Sequence, residues 1–174
     1  MSWHASLAAM IAALTSLTAV ALPNDQQQPI HVAADSASFD EKSGTAIYKG
    51  TVQVTQGSLQ IWADELQLST DKNGSVQKVV AKGKPARFQQ KPDPAKGLVE
   101  AQAEEIEYDT KADTINLSRN ARLKQDSSSF QGSSIRYSIS QQKIDAKGDS
   151  SSRVMLVFPP QTNTAGKDNK EVRK

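Results

Sequence analysis

The side chains able to do chemistry in this sequence are few, and their spacing serves catalysis poorly. His31 is the only histidine after residue 21, and the chain has no cysteine. A lone histidine on the outward parity of a short alternating run is far more often a surface residue than a catalyst. Without cysteine there is no thiol nucleophile, thiolate metal site or redox pair, and no acidic cluster has the spacing of zinc ligands. The adjacent acids Asp64-Glu65 and Glu104-Glu105 lie on alternating runs. Period two is expected to send the members of each pair to opposite faces, which excludes acid–base pairing within either. Serines are many, yet there is no Gly-x-Ser-x-Gly elbow and no phosphate-cradling or dinucleotide glycine pattern. Asn73-Gly74-Ser75 and Asn116-Leu117-Ser118 match the glycosylation sequon; the first reads as a turn and the second as coincidence. The expectation is a protein that is not an enzyme and that uses no cofactor and no metal.

Function must then reside in the elements themselves, and these read as strands. Ala46, Tyr48, Val52 and Val54 share one parity, with Lys49, Thr51, Gln53 and Thr55 on the other. After the turn Thr55-Gln56-Gly57-Ser58, Leu59, Ile61 and Ala63 alternate with Gln60, Trp62 and Asp64. The same habit recurs at Leu66 and Leu68, Ile106 and Tyr108, Ile115 and Leu117, Ala121 and Leu123, and Ile135, Tyr137 and Ile139. Period two over short runs, punctuated by Gly, Asn, Asp and Ser, is the pattern of antiparallel strands with one buried face. The fold class expected is all-β.

A weak repeat organises the strands. "ADSASFDEKSG" at Ala34, "ADELQLSTDKNG" at Ala63 and "AEEIEYDTKAD" at Ala103 share a start, and "GSSIRYSISQQ" at Gly132 continues the series. The stretch from Tyr48 to Leu66 also aligns without a gap on Leu117 to Ile135, an offset of 69 residues. A hairpin unit of about 30 residues repeated down a chain implies a stacked, elongated β architecture. "TDKNGS" and "KPDPAKG" read as its extended hairpin loops.

The ends of the chain read differently from its middle. Residues 1–21, "MSWHASLAAMIAALTSLTAVA", form a short apolar run closed by Ala-x-Ala, the pattern of a cleaved secretory signal, although no Lys or Arg precedes Ala21. The strand-forming domain is expected over residues 28–158, and residues 159–174 read as a polar, disordered tail. The formal net charge of +2 lies wholly outside the leader and is spread along the chain. Nucleic acid as a partner usually requires a concentrated basic face, so it is excluded. Secreted small domains often carry disulfides; their absence fits a bacterial envelope protein held together by its sheet alone.

An open stack of strands leaves two free edges, which must be capped or paired with another molecule. "QPIHVAAD" and "SSRVMLVFPP" are the candidate edges. The run Val154-Met155-Leu156-Val157-Phe158 is apolar on both parities, so it either packs into the core or serves as an interface. The inward parity is rich in alanine (Ala46, Ala63, Ala86, Ala101, Ala103, Ala121, Ala146), which either leaves room for an acyl chain or marks a tightly packed sandwich. All the aromatics after the leader except Trp62 fit inward or edge positions.

Particular motifs point further. Gln28-Pro29-Ile30-His31-Val32, then Tyr48-x-Gly50-x-Val52-x-Val54-Thr55-Gln56-Gly57, then Ala63-Asp64, with "GKPARFQQK", "EAQAEEIEYD" and "NARLKQ" further on, resemble the OstA-like family of periplasmic lipopolysaccharide transport proteins. The resemblance covers roughly Gln28 to Phe158. Two residues depart from it: Arg119 stands where the repeat and the family favour glycine, so one turn could differ, and Trp62 is unusual at its position.

The resemblance implies an open, twisted β-jellyroll that binds the lipid A acyl chains of lipopolysaccharide in an apolar groove. It also implies head-to-tail self-association in the periplasm, with inner-membrane LptC-like and outer-membrane LptD-like proteins of the same fold as further partners. On that footing Ile30, Val32, Tyr48, Val52, Phe88, Tyr108 and Leu117 are expected to line the groove. Ile30, His31, Val32 and Ala33 at one end, and Val154, Met155, Leu156, Val157 and Phe158 at the other, are expected to form the joints. Two other readings stay open: a membrane-anchored LptC-like relative that keeps its amino-terminal segment, and a structural β-sandwich without lipid cargo.

Overall fold

Inward parity does not run unbroken along the strands, and where it breaks the sheet bends. A computed structural model describes residues 25–92 and 97–160; the leader expected over residues 1–21 and the tail beyond Pro160 lie outside them. Among the described residues a single 3-10 turn, Asp25–Gln27, precedes ten strands. These are β1 (His31–Ala33), β2 (Ser36–Asp40), β3 (Thr45–Gln56), β4 (Leu59–Thr70), β5 (Val76–Gln90), β6 (Val99–Asp109), β7 (Thr114–Gln125), β8 (Ser128–Ser138), β9 (Lys143–Lys147) and β10 (Met155–Val157).

Every pairing is antiparallel, and β3 to β8 follow one another in chain order. β1 and β2 share the outer side of β3, and β9 and β10 share the far side of β8. The sheet is therefore open, an all-β structure with an edge at each end. The short strands read from the sequence are in fact the halves of longer ones: β3 to β8 run 11 to 15 residues each.

The halves meet at a crease. The ladder slips at the same height in five successive pairs: Lys49/Val52, Trp62/Glu65, Lys82/Ala86, Gln102/Glu105 and Ser118/Ala121. Extra residues in alternate strands cause the slip, since a bulge bends and twists the strand that carries it. In β3 the bulged residues, two facing one of β4, are Gly50-Thr51, at φ 77° and 44°; in β7 they are Arg119-Asn120, two facing one of β8, at φ 64° and 54°. Arg119 thus takes the left-handed conformation that its repeat partner Gly50 takes, and the turn is unaltered. Its guanidinium reaches Glu104 at 3.1 Å and Glu105 at 3.4 Å, while Asn120 donates to Glu104 at 2.8 Å. The two adjacent acids therefore share the outer face of the crease, because the bulge suspends the alternation that was expected to separate them.

Small residues run along the inside of the crease. Ala63 lies opposite Val52, Ala86 opposite Ala103, and Ala121 opposite Gly132. Where two halves of a sheet meet at an angle only small side chains fit, so most of these alanines shape the fold and do not enlarge the interior. Beyond the crease the halves diverge into two walls. Wall A holds Val52–Gln56, Leu59–Ala63, Ala86–Gln90, Val99–Ala103, Ala121–Gln125 and Ser128–Gly132. Wall B holds the remainder of each strand. Their inward faces, such as Val54, Ile61, Phe88 and Leu123 against Leu66, Ile106, Leu117 and Tyr137, join one buried core. Neither wall has any other layer to cover it among the described residues, so each buries the other.

At the carboxyl edge, Met155, Leu156 and Val157 pair with Gln131, Phe130 and Ser129. Val154 to Phe158 stay exposed, and Phe158 meets Phe130 edge-on with ring centroids 6.0 Å apart. This run is an edge strand and does not enter the core.

Candidate functional site

The two walls enclose an apolar groove at the amino edge, with a volume of about 510 Å³. Wall A contributes Val54, Leu59 and Ile61; wall B contributes Leu66, Leu68, Val76 and Val79. These residues project inward because each keeps its strand's buried parity on its own side of the crease: odd in β4 before it (Leu59, Ile61) and even after it (Leu66, Leu68). The mouth is polar, edged by Gln56 on one lip and by Ser75 and Thr110 on the other.

A strap of chain crosses the amino end of this mouth. The Asp25 carboxylate accepts from the Ser58 backbone N–H at 2.7 Å, the Ser58 hydroxyl at 2.6 Å and Gln90 Nε2 at 2.9 Å. Gln56 Nε2 donates to the Gln28 carbonyl at 3.0 Å. Gly57, at φ 58°, is required beneath the strap, because a Cβ there would collide with the Asp25 carboxylate. The strap delivers Gln28 and Ile30 to the groove lining and leads into β1.

The groove stops at an aromatic pair that spans the walls. Phe88 of wall A and Tyr108 of wall B lie 6.3 Å apart at a tilt of 59°. Towards the carboxyl edge the interior is filled: Ile115, Leu117, Leu123, Ile135 and Tyr137 are each at most 1% exposed. The Tyr137 hydroxyl has no partner in hydrogen-bonding geometry among the described residues. Burial, and then the nearby Asp113 carboxylate, hold its phenol above the ordinary range. Burial also raises Asp113, against the lowering effect of the Tyr108 hydroxyl that donates to it at 3.3 Å and of the Ser140 N–H. No three His, Asp or Glu side chains among the described residues gather in a way that could hold a metal ion.

The residues expected to line a groove are dispersed by the structure. Ile30 and Tyr108 are in its wall. Val32 and Tyr48 are partly buried against the core near the amino edge, and Val52 lies beside the crease. Phe88 backs the groove, and Leu117 is in the filled interior. Val54, Leu59, Ile61, Leu66, Leu68, Val76 and Val79 were missed. Inward parity combined with a place on β3 to β5 was the available signal. His31 and Ala33 are exposed on β1, and Val154 to Phe158 on and around β10, at opposite ends of the sheet.

Residues 31–143 match the family described as LptA/(LptD N-terminal domain) LPS transport protein. The lipopolysaccharide export system protein LptH of Pseudomonas aeruginosa is 40% identical over 150 residues, covering 86% of each chain. The export system protein LptA of Haemophilus influenzae is 35% identical over 156 residues, covering 88% of this chain and 89% of that one. LptA of Escherichia coli K12 is 35% identical over 156 residues, covering 89% and 83%. The crystal structure of LptH, the LptA-homologous periplasmic component of the P. aeruginosa lipopolysaccharide transport device, superposes with a TM-score of 0.73 at 35% identity, covering 79% of this chain and all of that one.

Proposed function

The chain belongs to the LptA/(LptD N-terminal domain) family of lipopolysaccharide transport proteins, and from that premise we propose that the amino-edge groove takes the acyl chains of the cargo and that the two sheet edges are its joints. It is a lipopolysaccharide transport component and not an enzyme. One observation carries the groove assignment: the walls part at the amino edge, around Val54, Ile61, Leu66 and Leu68, and the opening there is apolar inside and polar at its lips.

A lipid chain leaving water gains about 0.8 kcal/mol per methylene buried, so even a partly covered acyl chain is held. The groove offers no charged clamp, and a conduit needs this, because cargo held by specific ion pairs would be slow to leave. The polar lips leave the sugar head in water while the chains lie between the walls.

The joints rest on the edges. β1 presents one free backbone ladder and β10 the other, and main-chain pairing between such edges fuses sheets end to end. Ile30 to Ala33 would meet Val154 to Phe158 of the next copy, so that the sheet continues from subunit to subunit. The same edges would accept LptC-like and LptD-like partners of related fold. The setting is the periplasm, reached by secretion through a cleaved leader over residues 1–21.

Photocrosslinking tests the groove. A photoreactive residue at Ile61 or Val32 should capture lipopolysaccharide, and one at the exposed Thr51 should not. Equal capture at all three positions, or none at Ile61 and Val32, would remove the conduit reading and leave an assembly module of the same fold.

A further inference from the structure

The outer face of wall A carries two arginines without ion pairs among the described residues. On wall B, Lys49 meets Glu65 directly across from it at 3.4 Å, and Lys78 meets Glu107 diagonally at 3.3 Å. On wall A, one cross-strand row reads Trp62, Arg87, Gln102, Arg122, Gln131. Neither arginine has an ion pair among the described residues, and each faces an amide. The one carboxylate beside them, Glu100, is taken by Lys124 at 3.5 Å. Trp62 is the only aromatic of β3 to β8 with outward parity, and it is partly exposed. The row lines a concave surface of about 430 Å³.

We propose that this outer groove of wall A is a second binding site, for the acidic saccharide of the lipopolysaccharide molecule whose acyl chains lie inside. The inference rests on the transport reading for the identity of its ligand. The side chains match that ligand class. An indole face packs against the C–H face of a sugar ring, and glutamine amides both donate to and accept from hydroxyls. A guanidinium grips a phosphate or carboxylate with two parallel hydrogen bonds. Arg87 and Arg122 are two strands apart, roughly 10 Å at the usual strand spacing, so they fit two separate acidic groups better than one.

Position favours the cargo's own saccharide. A sugar head leaving the mouth at Gln56 crosses the β3–β4 turn and meets Trp62 four residues beyond Ser58, roughly 13 Å along an extended strand. A single-stranded nucleic acid is disfavoured, since it needs a succession of aromatic platforms along a basic track and this face has one. A protein partner would call for apolar anchors, and Trp62 stands alone among amides.

Calorimetric titration of the full chain tests the site with three probes: deacylated lipopolysaccharide, lipid A lacking the core saccharide, and heparin. The deacylated saccharide should bind the wild type and perturb a fluorescence signal that Trp62→Phe abolishes. Arg87→Gln/Arg122→Gln should weaken that binding at least tenfold, while lipid A capture by a photoreactive Ile61 position stays unchanged; all three changes lie on an outer face and leave the core intact. Absence of saccharide binding to the wild type, equal binding by the double variant, or equal affinity for heparin would each overturn the site. Loss of lipid A capture with saccharide binding intact would instead overturn the conduit and support the outer site.

Discussion

The hairpin β3–β4 and its repeat β7–β8 have one backbone and opposite interiors. At the 69-residue offset, Gly50-Thr51 falls on Arg119-Asn120 and Gly57 on Asp126, and all six residues have positive φ. Yet β3–β4 lines the amino-edge groove, while the inward Ile115, Leu123 and Tyr137 of β7–β8 are each at most 1% exposed. Side-chain volume is redistributed between the two copies. Ala46, Val54 and Leu68 of the first copy correspond to Ile115, Leu123 and Tyr137 of the second. At those three positions the second copy is the bulkier, although Tyr48, Val52 and Leu59 of the first outsize their counterparts Leu117, Ala121 and Ser128. A repeated fold can thus supply both a conduit and the stable block that holds its walls apart, through a few substitutions on one face.

Truncation tests the division most severely. Tyr137→Ala empties a fully enclosed site and should cost about 3–5 kcal/mol in chemical denaturation, whereas Leu68→Ala at the groove wall should cost about 2 kcal/mol. Equal losses would mean that the two ends are packed alike and would dissolve the comparison.

The backbone equivalence has its own asymmetry. Gly50 sits at φ 77° with the Asp35 side chain pressed against the place of a Cβ. Gly50→Ala should therefore destabilise by about 2 kcal/mol. Arg119→Gly relieves left-handed strain of about 1–2 kcal/mol but gives up exposed ion pairs and stiffens nothing, so the melting point should move little. A large loss on Arg119→Gly would show that the bridge to Glu104 and Glu105 holds the crease.

Transplanting the filled interior into the open one sharpens the comparison without breaking the fold. Ala46→Ile/Val54→Leu/Leu68→Tyr places the plug residues where the groove stands. Crosslinking of lipopolysaccharide at Ile61 should fall roughly tenfold, the equivalent of displacing about two buried methylenes, with circular dichroism unchanged. Undiminished capture would place the acyl chains elsewhere.

The smallest effect is expected at Asp113, beside the boundary between the two interiors. Burial raises its carboxyl pKa in the folded state, so the folded chain holds that proton more tightly than the unfolded chain. This contribution to stability is gained as pH falls through the folded value and is absent at neutral pH. Asp113→Asn keeps an acceptor for Tyr108 and suits the positive φ of 48°. The variant should be slightly more stable at neutral pH, with a flatter melting point between neutral and mildly acid pH. Parallel curves would show that Asp113 is solvated.

Alternation, turn residues and the 69-residue repeat were enough to specify an all-β, open, antiparallel sheet with its edges at β1 and β10. They suffice because period two and turn chemistry are local properties of the chain. The crease was also written in the sequence, as the jump of inward parity between Ala63 and Leu66 and between Ala103 and Ile106, but it reads as a gap between short strands until the ladders are seen to continue through it. Pairing Glu104 with Glu105 on one face required that bulge, and alternation taken alone gave the opposite answer.

Which inward residues line a cavity and which only fill the core was settled by the tertiary structure. Phe88, Leu117, Leu68 and Ile61 have the same pattern in sequence, and the distance between two facing walls decides their roles. That distance is set by the summed volumes of side chains far apart in the chain. The outer row of Trp62, Arg87, Gln102 and Arg122 is equally invisible along the chain, because its members come from four strands and become neighbours only through the register.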